Sequence, residues 1–156
     1  MEHEHGDRTV THHYWMLGLS TALSAVVMYL SMYAMIDTLQ SFYNNINQVY
    51  MALMMAAPMV VIMLLTMRSM YPIAALNTML YAGSVLVFLL SFAAIRYQVP
   101  VGDRQFLRSM IPHHSGAILM CEQAKLSDPA IKGLCTQIIK SQREEIAQMR
   151  SLLRKR

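Results

Sequence analysis

The sequence predicts an all-α membrane protein: three transmembrane helices followed by a helical hairpin. Three observations predict it. First, three long apolar runs occupy 14–36, 49–67 and 73–95. Second, Asp37 and Arg68 are the only charged residues between Tyr14 and Ile95. Third, the chain from Arg96 onward is polar, with apolar residues recurring at helical spacing. The whole chain is 55% hydrophobic and 14% charged, more apolar and less charged than a soluble domain.

Residues 1–13 form a short tail with His3, His5, His12 and His13. The first run, opening on Tyr14 and Trp15, follows a stretch with more acid than base and is too long for a signal-peptide core, so it reads as an uncleaved anchor. Each run is long enough to cross a hydrocarbon core of about 30 Å. Tyr14, Trp15, Tyr43, Tyr50, Tyr71 and Tyr97 sit near the run ends, where interfacial aromatics belong. Residues 14–98 therefore make the three-helix transmembrane region, and the lipid bilayer is the first expected partner. The net charge of +4 is modest and no nucleic-acid signature accompanies it, so no nucleic acid is expected.

Three spans put the N-terminus and the hairpin on opposite faces. Counting Lys and Arg in the flanks does not orient the chain. Cys121 and Cys135 fall roughly level on the two hairpin arms, either as a disulfide, which would mark an oxidising space, or as two small buried thiols. The orientation expected is N-terminus cytoplasmic, hairpin extracytoplasmic.

Residues 99–156 read as the hairpin. Gly102 and Asp103 open the first arm, and its face is Phe106, Leu107, Met110, His114, Ala117 and Cys121. Asp128 caps the second arm and Pro129 fits its first position. The face of that arm is Ile131, Leu134, Cys135, Ile138, Gln142, Ile146 and Met149. Antiparallel pairing gathers Met110, His113, His114, Gln142, Glu145 and Met149 in one region. Pro112 either kinks the first arm or ends it, and Gly116 either adds backbone freedom or lets another helix approach closely.

Imidazole with thioether is a soft donor set that favours Cu(I), and by the same softness Ag(I). Zinc is open through His, Glu145 and Cys121, although zinc rarely takes thioether sulfur. His113 and His114 lie about 100° apart around a helix, so they cannot share one seam. Twelve of the sixteen methionines fall between Met16 and Met79, with Met51, Met55, Met59, Met63 and Met67 at every fourth position. That row is either a ladder for Cu(I) or adaptable packing; the near-absence of ionisable groups in the spans favours packing.

The hairpin resembles the DUF305 family over Gly102 to Leu153. The matching residues are Asp103, Phe106, Met110 to His114 ("MIPHH"), Ala117, Ile118 and Met120, then Ile139, Gln142, Glu145, Ile146 and Met149. The resemblance implies a ferritin-like helical domain tied to copper handling in bacteria, outside the cytoplasm. It implies a bacterial inner (cytoplasmic) membrane protein that binds copper through its His and Met positions, Met120 included. Many family members carry two hairpins where this chain has one, so a homodimer or higher oligomer completing a four-helix bundle is expected.

The function expected is a membrane-anchored copper-binding protein for sequestration, delivery or resistance, with a metallochaperone or efflux partner and no catalysis. One alternative is a structural or oligomerisation hairpin without metal. Another is a ferritin-like metal oxidase, which Glu144 and Glu145 without a Glu-x-x-His pair support poorly.

Overall fold

The computed structural model describes residues 2–155, with side chains from Val10 onward. His3 and His5 therefore lie outside the described side chains. Among the described residues there are five α-helices and no strand: α1 (Glu2–Ser31), α2 (Ile46–Thr66), α3 (Ala74–Tyr97), α4 (Asp103–Gln123) and α5 (Pro129–Arg154). Three stretches are long and apolar enough to cross a membrane: Val10–Met35, Ile46–Thr66 and Ala74–Tyr97. Helix α1 begins at Glu2, well before the first apolar run.

The chain divides into two compact units, one of residues 1–30 and 49–99, the other of residues 31–48 and 100–156. In the first unit Leu17, Leu64 and Tyr71 form a small buried cluster, flanked by Tyr14, Val60, Met63, Leu80 and Tyr81. A polar knot ties α1 to the start of α3. Tyr14 Oη donates to Asn77 Oδ1 at 2.8 Å and accepts from the Ile73 amide at 3.2 Å. Asn77 Nδ2 in turn donates to the Tyr71 carbonyl at 2.8 Å. Pairing these groups internally matters because a bilayer offers them no water. The apolar residues facing away from this unit, among them Val26, Val27, Leu86 and Leu90, are exposed, as lipid-facing positions should be.

The methionine row of α2 does not line an enclosed path. Met51, Met55 and Met67 are exposed, Met59 and Met63 are half-buried, and the buried face is Ala52, Ala56, Ala57 and Leu64. Small residues at the helix contact and flexible thioethers around them are the arrangement of packing in lipid.

The second unit is a hairpin with a third layer. Leu107, Ile111, Ile118, Ile146 and Met149 form its core, with Tyr43, Met110 and Leu153 packed against it. Residues 31–48, of which 31–36 close the first apolar run read from sequence, fold onto α4 through two short 3-10 turns, Met32–Met35 and Leu39–Ser41. Tyr33 is buried, its ring centroid 4.0 Å from that of Phe42 and its hydroxyl donating to the Tyr43 carbonyl at 2.7 Å. This layer answers the thin core of two helices from within the chain. It also explains why α4 buries Ile111, Pro112, Ser115, Gly116 and Ile118, positions outside the predicted face, while Phe106 is 51% exposed.

Local signals behave as their chemistry requires. Gly102 is the N-cap of α4, and Asp103 places a carboxylate in its first turn, toward the positive helix end. Pro112 lies inside an α4 that runs unbroken from Asp103 to Gln123. Asp128 Oδ1 accepts from the amides of Ala130 at 2.7 Å and Ile131 at 3.3 Å. Asp128→Ala is expected to lower hairpin stability by about 1 kcal/mol, read as earlier exchange of the first-turn amides of α5.

Candidate metal centre

The hairpin is closed at its turn by a disulfide between Cys121 and Cys135, with Cα atoms 5.3 Å apart. Both thiols are consumed, so neither serves as an extra metal ligand, and the route to zinc through Cys121 is closed. An ion pair follows the disulfide across the arms, Arg143 Nη2 donating to Glu122 Oε1 at 2.6 Å. Both partners reach solvent, so the pair adds little to stability.

One predicted pair of donors meets across the seam. His114 is buried, 8% exposed. Its Nδ1 lies 2.9 Å from the Met110 carbonyl and its Nε2 lies 2.7 Å from Glu145 Oε2. A carbonyl only accepts, so Nδ1 carries a hydrogen, and that bond fixes the tautomer and the ring direction. Nε2 and Glu145 Oε2 are within hydrogen-bond distance across the two arms. Glu145 is half-exposed, so its carboxylate is the mobile partner. Met110 is half-buried against the core to which Met149 belongs.

The other predicted residues lie elsewhere. His113 points outward and is exposed, its ring centroid 5.9 Å from that of His114 in an edge-on arrangement. Met120 is 60% exposed. Gln142 is half-buried on α5, one turn before Glu145. Of the residues gathered by antiparallel pairing, Met110, His114, Glu145 and Met149 stand toward the seam and core, and His113, which was expected not to share that seam, lies on the outer face of α4, where Met120 is also exposed.

Among the described residues no three His, Cys, Asp or Glu side chains converge to hold a metal ion. A hard or borderline divalent ion needs such a set. A soft monovalent ion does not, because thioethers complete its shell. A ligating histidine commonly donates its second nitrogen to a backbone carbonyl, as His114 Nδ1 does to Met110.

Sequence reasoning missed the groups that lock the third layer to α4. The Asp37 amide donates to Ser115 Oγ at 2.8 Å, Asn47 Nδ2 to Ser109 Oγ at 3.2 Å, and Arg150 Nη2 to Ser41 Oγ at 3.1 Å. Ser115 and Ser41 are 1% and 2% exposed. The available signal was the uncharged Asn, Ser and Tyr content of 38–48, a polar stretch able to hydrogen-bond without charge.

These features define a class, an α-helical protein with three candidate spans and a disulfide-closed hairpin holding a His–Glu pair between its arms. The chain belongs to the DUF305 family. The model of that domain of unknown function matches residues 90–153. The chain is 37% identical over 114 residues to the "Uncharacterized protein L153" of Acanthamoeba polyphaga mimivirus, covering 72% of this chain and 73% of that protein. No solved structure matches.

Proposed function

We propose that this is a membrane-anchored binding protein for Cu(I), or Ag(I) by the same chemistry, acting in metal sequestration, delivery or resistance. The observation that carries the reading is His114. It is buried and oriented by the Met110 carbonyl, with Nε2 aimed at a carboxylate that can swing away, and Met110 and Met149 stand at the same core. An incoming ion takes the place of the contact between Nε2 and Glu145, and Glu145 either moves to solvent or stays as a ligand. Gln142, one turn away, is a further donor for the same ion. The role proposed is binding rather than bond chemistry.

The disulfide supports an oxidising, extracytoplasmic side for the hairpin, which puts the N-terminus in the cytoplasm. The setting proposed, a bacterial inner membrane, rests on the family resemblance. Ile131 and Leu134, half-exposed on α5, are the face through which a homodimer would form a ferritin-like four-helix bundle. A metallochaperone or efflux protein would receive or supply the ion.

A second reading has its own support. Both nitrogens of His114 are already satisfied inside the protein, as they would be in a purely structural cross-link between the arms. Competition titration of the full chain with Cu(I) buffered by a chromophoric chelator separates the two. On the metal reading, His114→Ala weakens Cu(I) binding by about tenfold or more. If the variant binds Cu(I) as the parent does and only its thermal unfolding shifts, the structural reading stands.

A further inference from the structure

The open end of the hairpin, opposite the disulfide, gathers cations that the chain does not pair. In the register set by the Cys121–Cys135 bond and the His114–Glu145 contact, Arg108 comes level with Arg150 and Arg104 with Arg154. Leu153 packs against the core that contains Leu107, which brings the end of α5 to the start of α4. Residues 103–110 hold one acid, Asp103, and residues 148–155 hold none. None of Arg104, Arg108, Arg150, Arg154 and Lys155 forms an ion pair with a described carboxylate.

Arg150 is the most constrained of them. Its Nη2 donates to the Ser41 hydroxyl at 3.1 Å, and Ser41 is buried in the 31–48 layer. Its Nε is buried without a partner among the described residues, while the residue as a whole is half-buried. A guanidinium stays charged and carries five donors. Partly withdrawn from water with no carboxylate beside it, this one gains from an anion, and phosphate suits its fork. The same layer locates the site. The candidate span Ile46–Thr66 starts within this unit: the Ile46 amide donates to Gln105 Oε1 at 3.2 Å, so the first turn of α4 stands at the water end of a span. Leu39 and Phe42 flank Ser41 outside the candidate spans and are 88% and 45% exposed. Exposed apolar side chains beside unpaired cations suit the boundary between headgroups and acyl chains.

We infer that this end of the hairpin is a binding face for anionic phospholipid. Arg150 takes the headgroup phosphate, Arg104, Arg108, Arg154 and Lys155 add attraction, and Leu39 and Phe42 enter the boundary beside it. Lipid is favoured over a free phosphate or an acidic protein segment for two reasons. The face lies where a candidate span meets water, and its exposed apolar residues have nothing to offer a free ion. The inference is independent of metal binding. It gives the 31–48 layer a second task, since Ser41 aims the guanidinium.

The test reconstitutes the full chain in phosphatidylcholine bilayers and reads the association of spin-labelled phosphatidylglycerol relative to spin-labelled phosphatidylcholine. The parent is expected to prefer phosphatidylglycerol, and Arg150→Gln to cut that preference by about fivefold, the worth of one basic contact at an anionic surface. Arg154→Gln with Lys155→Gln removes two exposed charges, which leaves folding intact, and is expected to cut it at least as far. Lys132→Gln removes the same charge about 27 Å away along α5 and is expected to change nothing. Inorganic phosphate added at constant ionic strength is expected to leave the preference in place. Equal association of the two lipids with the parent overturns the proposal and leaves the face to an acidic protein segment. A loss in Lys132→Gln equal to that in Arg150→Gln overturns it in favour of diffuse charge. Abolition by inorganic phosphate overturns the lipid as the source of the anion.

Discussion

Reduction of the Cys121–Cys135 bond, or its replacement through Cys121→Ser with Cys135→Ser, is expected to destabilise the hairpin by about 3 kcal/mol. The bridge spans a sequence separation of 14, and closing a loop of that length removes much of the freedom of the unfolded arms. It is placed where little else holds the turn end. Ile131 and Leu134 are half-exposed there, and the buried residues of α5, Ile146 and Met149, lie toward its other end. The loss should appear as faster amide exchange concentrated in the last two turns of α4 and the first two of α5. Uniform loss of protection across both helices, or none, would contradict this account of what the bridge holds. The same bond reports orientation. After reduction in intact cells, a membrane-impermeant thiol reagent is expected to label Cys121; failure to label would place the hairpin in the cytoplasm.

Ile111→Ala carries a comparable expected effect, a loss of about 3 kcal/mol. Ile111 is 0% exposed and sits between Leu107, Ile118, Ile146 and Met149, so truncation leaves a cavity that the two helices and the 31–48 layer cannot all collapse to fill. Phe106→Ala is the contrast. Phe106 belongs to the face predicted from periodicity but is half-exposed, and its removal is expected to cost about 0.5 kcal/mol or less. Hydrogen exchange or pulse proteolysis of the hairpin in the full chain distinguishes them. Global melting is less suitable, because two compact units need not unfold together. Equal costs for the two substitutions would mean that the faces of α4 have been assigned wrongly.

That contrast shows what was legible in the sequence. The spans were, because length and apolar content decide them and no packing detail is needed. The hairpin turn was too, since Asp128 and Pro129 are cap and first-turn residues with a local mechanism. Chain parity put residues 37–48 on the side of the hairpin. It did not show that they would pack on it, because Ser115, Ser41 and Asn47 act through tertiary hydrogen bonds that leave no period in the sequence. The face of α4 was read about one residue off, since Ile111 and Ile118 join the core with α5, and a helix covered on a second side also buries Ser115 and Gly116. In the candidate site, the meeting of His114 with Glu145 fell within one turn of the predicted register. The separation of His113 and Met120 from that pair follows from the 100° step between neighbouring residues, and only Gly116 hinted that another segment approached there.

The central claim is that an imidazole of this hairpin, His114, ligates a soft monovalent metal. X-ray absorption at the copper edge of the full chain loaded with one equivalent of Cu(I) tests it most directly. The account predicts a mixed shell of nitrogen and sulfur scatterers, with the nitrogen contribution reduced in His114→Ala. A shell of sulfur alone, or one unchanged by that substitution, would contradict it.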